Sequence, residues 1–504
     1  MIRFSTTLLA ISLCFSSPIW GAEQHLRLDY ALHISKAVAS HDLSLDDVLQ
    51  QVFEHNASLK ITRLQVKSLQ LDRVAIKEKL DPRASVKSTL SDETTPTTNP
   101  FAPSGINIGI ITGSITQPLE DGSNLSLSAS YSRSKTTYPS SVPKAFQATI
   151  NPTYQHQIDL IYRYPLFKGH DNLVYQAQLK QMDANEHAAH WQVIMEKEQL
   201  AAQAIQLFFQ MQANQVAIEL SRDAVVRAKK LLKYQEKREH FGLIEKADRL
   251  QADALLSGRQ LELVNAQGTW NNTQTSLNRL MHQPYNTPIQ LHSSIHPTLK
   301  TKHIQVLQAK AQQHRAIFMM LNAQEEAAHA LLTQARENDR QQLDVIGQIG
   351  TRALSGSSLT ALGQGFTLKD RYLGVGLEWS DSLVKHDIKP SIQKAELALE
   401  RVQLQREQAL NNINTEISQA IMQYDNAQMT QATAQSRVEM EKEKFNAEMR
   451  RYHVGRSNTA TIVQFEGELH AAELQSSLQN IQMQWALKRI QLSTGLLLQE
   501  LSEK

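Results

Sequence analysis

A glycine set between two very long helical patterns occurs twice in this chain, and nothing else limits its fold as strongly. The first copy runs from Tyr234 to Gln251, the second from Ala447 to Gln464. Aligned on Gly242 and Gly455, they match without a gap: Phe241 faces Val454, Ala247 faces Ala460, Leu250 faces Val463 and Gln251 faces Gln464. Glycine is favoured just past a helix end because it enters the left-handed conformation cheaply. Ser457 or Asn458 can then cap the helix that follows. Each copy therefore reads as the tip of a long antiparallel helix hairpin.

The rest of the chain falls into place around these tips. A helical pattern covers about 172–240, roughly 100 Å at ~1.5 Å per residue, and a second runs from the tip to about His282. The later copy has the same plan, with helices over 388–452 and 459–494. Gly495 follows His282 by 213 residues, the offset that also separates the two tip glycines. A shorter helix precedes each half. Ser44 and Asp47 form a capping-box pattern at the first one. Leu45, Val48, Leu49, Val52 and Phe53 make its apolar stripe, and the pattern resumes after Asn56 and ends at Asp81-Pro82. The second shorter helix covers about 302–339.

Between helices the period changes to two. Leu125, Leu127, Ala129 and Tyr131 alternate with serines, and Ile158, Leu160, Tyr162 and Tyr164 alternate with mainly polar residues. Weaker strands are expected at 84–90 and 108–117, and Asp121-Gly122 is a hairpin signal. In the second half, strands are expected at 342–352 and 371–379, with Gly356, Gly363 and Gly365 in a loop between them. The segment from Ser382 to Asp387 mirrors that from Pro165 to Asp171. The chain thus reads as two tandem repeats of helix, strands, long helix, tip and helix. The first occupies 43–282, with strands at about 84–164. The second occupies 301–496, with strands at about 342–379. A proline-rich linker over 283–300 joins them.

Arg3, the apolar run Leu8–Phe15 and the small residues Gly21-Ala22 predict a secretory signal over 1–22. Cys14 is the only cysteine and lies inside it, so no disulfide or Cys–metal site is expected beyond it. No later apolar run approaches the ~20 residues of a spanning helix. Net charge is +2, which gives no general basic footprint for nucleic acid. An exported chain of this kind is either soluble outside the cytoplasm or part of a membrane β-barrel. If the strands enter lipid, too few are present to close a barrel alone, and several chains must pool them. A secreted coiled-coil structural or adhesive protein with a small β-cap is the other reading. No enzyme motif is present: there is no P-loop, no Gly-x-Gly-x-x-Gly, no Gly-x-Ser-x-Gly and no His-Glu-x-x-His. No cofactor or metal is expected, although His240 and His453 flank the tips and His170 and His386 flank the strand-to-helix turns. Asp248, Thr461, Arg249 and Arg456 lie near the tips. They read either as a polar ring narrowing a channel end or as ordinary helix-surface residues.

Taken in order, several short motifs resemble the TolC-like outer-membrane efflux and secretion channels. They are Leu43–Leu49 with His55–Leu59, then Tyr164-Pro165-Leu166-Phe167-Lys168-Gly169, then the tips Phe241-Gly242-Leu243 and Tyr452-His453-Val454-Gly455-Arg456. The resemblance covers about 43–496. It implies a mostly α fold with a β-barrel portion: a homotrimer in which each chain gives four strands to one shared barrel and its helices to a long periplasmic coiled-coil tunnel. It further implies outer-membrane lipid around the barrel and an aperture closed at the tips. There a periplasmic adaptor (membrane fusion protein) and an inner-membrane RND or ABC transporter dock. Family members carry acidic residues just inside the second tip helix, where this chain has Thr461 and Gln464; Asp248 in the first copy matches. Residues 106–135 form a hairpin beyond the family's minimal pattern.

Overall fold

The computed structural model describes residues 43–291, 303–381 and 388–502, apart from positions 95, 97, 100 and 368. The expected signal with Cys14, the second half of the 283–300 linker and the second strand-to-helix turn, 382–387, lie outside the described residues. The first half of the chain opens with α1 (Leu45–His55) and α2 (Ala57–Lys77). Ser44 and Asp47 close the capping box from both sides, Ser44 N–H to Asp47 at 2.9 Å and Asp47 N–H to Ser44 Oγ at 3.3 Å. Asn56 ends α1 in an extended conformation and caps α2, accepting from Ser58 N–H at 2.9 Å. Four strands follow: β1 (Arg83–Thr94), β2 (Gly105–Pro118), β3 (Asn124–Thr137) and β4 (Thr153–Pro165). Then come the long α3 (Leu173–His240) and its return α4 (Lys246–Leu280).

The second half repeats the plan. It has α5 (Ile304–His314), α6 (Ala316–Asn338), β5 (Gln342–Ser355), a short α7 (Ser358–Gly365) and β6 (Arg371–Ser380). It ends with α8 (Ile388–His453), α9 (Thr459–Ser493) and α10 (Leu496–Ser502). Two expectations change. The helix expected over 302–339 is broken at Arg315, which is extended like Asn56. The glycine-bearing stretch between β5 and β6 contains a helix, α7, because Ala361 and Gly365 bury themselves against the strands.

The duplication is visible in the backbone. Gly242, His282, Gly455 and Gly495 all take positive φ, at 67°, 59°, 77° and 75°. At both tips the glycine N–H turns back to the carbonyl three residues earlier, and the next N–H to the one five earlier. This is the Schellman closure of a helix end. Two cores form, and Leu497 of the second half joins the first. Leu49, Val52, Phe208, Met211 and Leu277 centre the first; Phe318, Ile417, Leu487 and Ile490 centre the second. Alanines on α3 and α6, such as Ala184, Ala188, Ala327 and Ala330, are buried and let these helices approach closely.

The strands form one antiparallel sheet in the order β1-β2-β3-β4-β5-β6. All six strand segments expected from the sequence join this sheet, whereas the resemblance implied four per chain. The first half supplies four, with the 106–135 segment entering the sheet between β1 and β4. Its turn is held by Asp121, whose carboxylate accepts from Ser123 N–H at 2.9 Å and Ser123 Oγ at 2.6 Å. One sheet face carries Leu127, Leu160, Ile349 and Leu373 in register; the other carries Ser128, Asp159 and Tyr372. Among the described residues no helix is long and apolar enough to cross a membrane.

Candidate functional site at the helical tips

The two tips lie side by side because α3 packs on both α4 and α9, and α4 also meets α9. At the first tip Phe241 and Leu243 are exposed; at the second, Val454 and Arg456 are exposed. Three bare apolar side chains beside the two glycine turns are what a docking surface offers, since water gains nothing from them. Thr461 faces its own helix cap: Asn458 Oδ1 accepts from Thr461 N–H at 2.8 Å and from its hydroxyl at 2.9 Å. Gln464 donates to Glu468 at 2.8 Å. Asp248 is half-buried in the first turn of α4. Arg249 is paired across the first tip with Glu239 at 2.8 Å, so its charge is already partnered within one hairpin.

Just behind the tips, a buried polar cluster ties the first hairpin to the second. Gln235 on α3 is fully buried and donates to Thr459 Oγ1 at 2.7 Å and to the Tyr452 hydroxyl. Tyr452 and Thr459 are themselves 3.0 Å apart and both buried. The Arg238 guanidinium lies over the rings of Tyr234 and Tyr452, at 5.7 and 5.5 Å from their centroids. Tyr234 meets His453 edge-on at 5.0 Å. Below is an apolar layer of Leu231, Ala252, Phe445, Ile462 and Leu469.

A charged layer comes next. Glu466 of α9 has a side chain only 2% exposed and accepts from Arg259 of α4 at 2.7 Å and Arg227 of α3 at 3.1 Å. Arg227 also reaches Glu473 at 3.2 Å, and Arg259 reaches Glu262 at 2.8 Å. His470 sits 3.5 Å from Glu262. Burial, and then the Arg259 charge, push the His470 imidazole below the usual histidine range. Burying charge is costly unless it is paired, and here every arginine has a carboxylate. Sequence reading placed the tips but missed Gln235, Arg227, Arg259 and Glu466. Their partners lie more than 200 residues away in sequence. Only the shared offset of the two copies could have suggested that α4 meets α9.

The strand-to-helix turn is the second expected site. Pro165 ends β4 and is buried, while Leu166 and Phe167 are half-exposed. Leu166 N–H donates to Leu343 O at 2.7 Å and Lys168 N–H to Gln341 O at 3.1 Å, fastening the turn to the strand of the other repeat. Gly169 has φ 91° and opens the path into α3. Of the flanking histidines, His170 meets Tyr164 edge-on at 5.9 Å, and His386 lies outside the described residues. Among the described residues no group of three or more His, Cys, Asp or Glu could hold a metal ion.

A sheet with one apolar face is thus joined to two helices about 100 Å long, α3 and α8, each turned back at a glycine tip. The profile described as "Outer membrane efflux protein" matches residues 124–282, which is β3 through α4. No curated protein matches the chain in sequence. Among solved structures, the outer-membrane channel OprN superposes with a TM-score of 0.67 at 14% identity, covering 90% of this chain and 89% of its own. CusC gives 0.67 at 13% identity, covering 90% of this chain and 92% of its own. The CmeC outer membrane channel of Campylobacter jejuni gives 0.64 at 14% identity, covering 90% and 85%. At such identities the likeness to these structures is one of fold. The family match covers residues 124–282, under a third of the chain, and over the rest the likeness is one of fold.

Proposed function

We propose that the protein is the passive exit duct of a tripartite efflux or type I secretion system. Three copies pool their strands into one barrel in outer-membrane lipid and their helices into one periplasmic tunnel. The repeats 43–282 and 301–496 are the building units of that tunnel, and the tips close its far end. A periplasmic adaptor and an inner-membrane RND or ABC transporter dock there and supply the energy. The duct itself uses no cofactor and performs no chemistry.

One observation carries this reading. The exposed apolar residues Phe241, Leu243 and Val454 stand at the helical end of the molecule, opposite an apolar-faced sheet whose edge strands β1 and β6 each lack a partner among the described residues. A soluble cap would leave both the sheet face and its edges bare to water. Within the tips, Phe241, Gly242, Leu243, Val454, Gly455 and Arg456 present the docking surface. Asp248, Thr461 and Gln464 stand one to two turns behind it, towards the aperture.

The experiment is photo-crosslinking in cells from a probe at Arg456. Capture of an adaptor is expected. An adaptor of a proton-driven pump assigns the duct to drug or metal efflux, and one of an ATP-driven exporter assigns it to protein secretion. Capture of neither, with the protein present in the outer membrane, contradicts docking at this tip.

A further inference from the structure

The apolar face of the sheet does not stop at the strands that the family pattern requires. In hydrogen-bonded register across all six strands, one row reads Ala84, Ile115, Leu127, Leu160, Ile349 and Leu373. The neighbouring row on the opposite face reads Ser85, Ser114, Ser128, Asp159, Gly350 and Tyr372. The polar face has apolar exceptions, among them Ile106, Ile108 and Ile110 of β2, Ile161 of β4 and Ile346 of β5, whereas its β1 residues, from Ser85 to Glu93, are all polar. Val86 and Leu90 of β1 are 80% and 87% exposed on the apolar side. A hairpin kept in water or folded into a polar lumen has no use for such a surface; a hairpin in the lipid-facing wall needs it.

The same face carries aromatic residues at both ends. Tyr131 stacks on Tyr154 at one end, at 6.3 Å between centroids, and Tyr162 on Tyr164 at the other, at 6.5 Å. The ten residue steps from Tyr154 to Tyr164, at ~3.4 Å each and ~40° tilt, span about 25 Å, the height of a barrel's apolar band. The family profile begins only at residue 124, so β1 and β2 lie outside its match, yet β2 pairs with β3 along its whole length.

The edges complete the case. In lipid an unpaired strand edge is not tolerated. Among the described residues β1 and β6 are the two unpaired edges, with 12 and 10 residues. Because six antiparallel strands alternate in direction, β6 of one copy meets β1 of the next antiparallel, which the rest of the wall also requires. We infer that the β1 edge of each chain pairs with the β6 edge of a second copy, so that three chains close one eighteen-stranded barrel. The four-strand pattern would give a twelve-stranded one. This rests on the trimeric duct proposed above. At ~4.8 Å between strands and ~40° tilt, the backbone diameter rises from roughly 24 Å to roughly 36 Å. The exit is therefore wide enough for bulkier cargo than a twelve-stranded barrel passes.

Paired cysteines test this in a Cys14→Ser background, where no other cysteine remains. Ser88→Cys in β1 is combined in turn with Leu373→Cys, Val375→Cys and Leu377→Cys, all on the same face. A separate variant carries Ser85→Cys and Ser114→Cys, register partners whose hydroxyls are 2.8 Å apart. Outer membranes are oxidised, and the extracted complex is weighed by native mass spectrometry. The expected result is interchain bands up to three chains from one β1–β6 pair, together with an intrachain β1–β2 bridge. Two outcomes in a complex of three chains overturn the eighteen-stranded barrel while sparing the duct. One is interchain bands from Ala129→Cys of β3 with the same β6 positions, and the other is absence of the β1–β2 bridge. A single-chain mass with no interchain bands overturns both.

Discussion

Gly455 sits at φ 77° with no atom within 4 Å of where a Cβ would stand, and Gly242 is alike at φ 67°. A side chain at either place therefore meets no clash, and the whole cost of replacing the glycine is backbone strain, about 1–2 kcal/mol for an ordinary residue. Asparagine enters this region more easily than a β-branched residue. Gly455→Val is expected to bend the tip and cut adaptor crosslinking from Arg456 several-fold, while Gly455→Asn stays near wild type and both remain trimers. Equal crosslinking in the two variants would show that tip shape is not what the partner reads. At this scale the sequence was legible where a residue has a local duty. Ser44, Asn56, Gly242, Gly455 and Asn458 all take the cap or turn conformation that their chemistry suggests. Arg315 was not legible. Nothing in His314-Arg315-Ala316 ends a helix locally. The break is held instead by tertiary partners: the Arg315 guanidinium is 3.1 Å from Glu198 and 3.4 Å from Glu416, and Ala316 N–H donates to Glu198. Burial pushes the Glu198 carboxyl above the usual carboxylate range, with Arg315 pulling the other way.

Between elements, the decisive contact is that of α9 with α3 and α4, since it joins the two hairpins that a channel of this kind must separate or hold together. Glu466 is its centre. Glu466→Ala leaves Arg259, whose side chain is 10% exposed, with the weaker Glu262 contact alone. Breaking a buried pair from one side costs about 3–5 kcal/mol. The variant is expected to lower the thermal midpoint of the extracted protein clearly, and Glu466→Gln, which keeps an acceptor, to lower it less. An unchanged midpoint in Glu466→Ala would mean that the charged layer does not hold the hairpins together. Helix and strand positions were legible from periodicity because each strip of apolar residues is local. The charged layer was not, because its partners belong to different repeats. The short α7 was missed for a third reason: Gly363 and Gly365 speak for a loop, and only packing against β4 and β5 makes the segment helical.

The whole molecule is a duplicated chain whose two copies are unequal in the sheet. Both give a tip, a long helix and a return helix, but the first gives four strands and the second two. The duplication and the membrane-type alternation could be read from the sequence. The order of the strands in the sheet could not, because alternation in Ile108–Gln117 and Leu125–Tyr131 marks a hairpin without saying which strands flank it. The measurement that bears most directly on the shared duct is the native mass of the protein extracted gently from outer membranes. A complex of three chains, absent from the soluble periplasmic and extracellular fractions, is predicted. A single chain, or a soluble pool carrying most of the protein, would contradict the duct and favour a secreted coiled-coil rod with a β-cap.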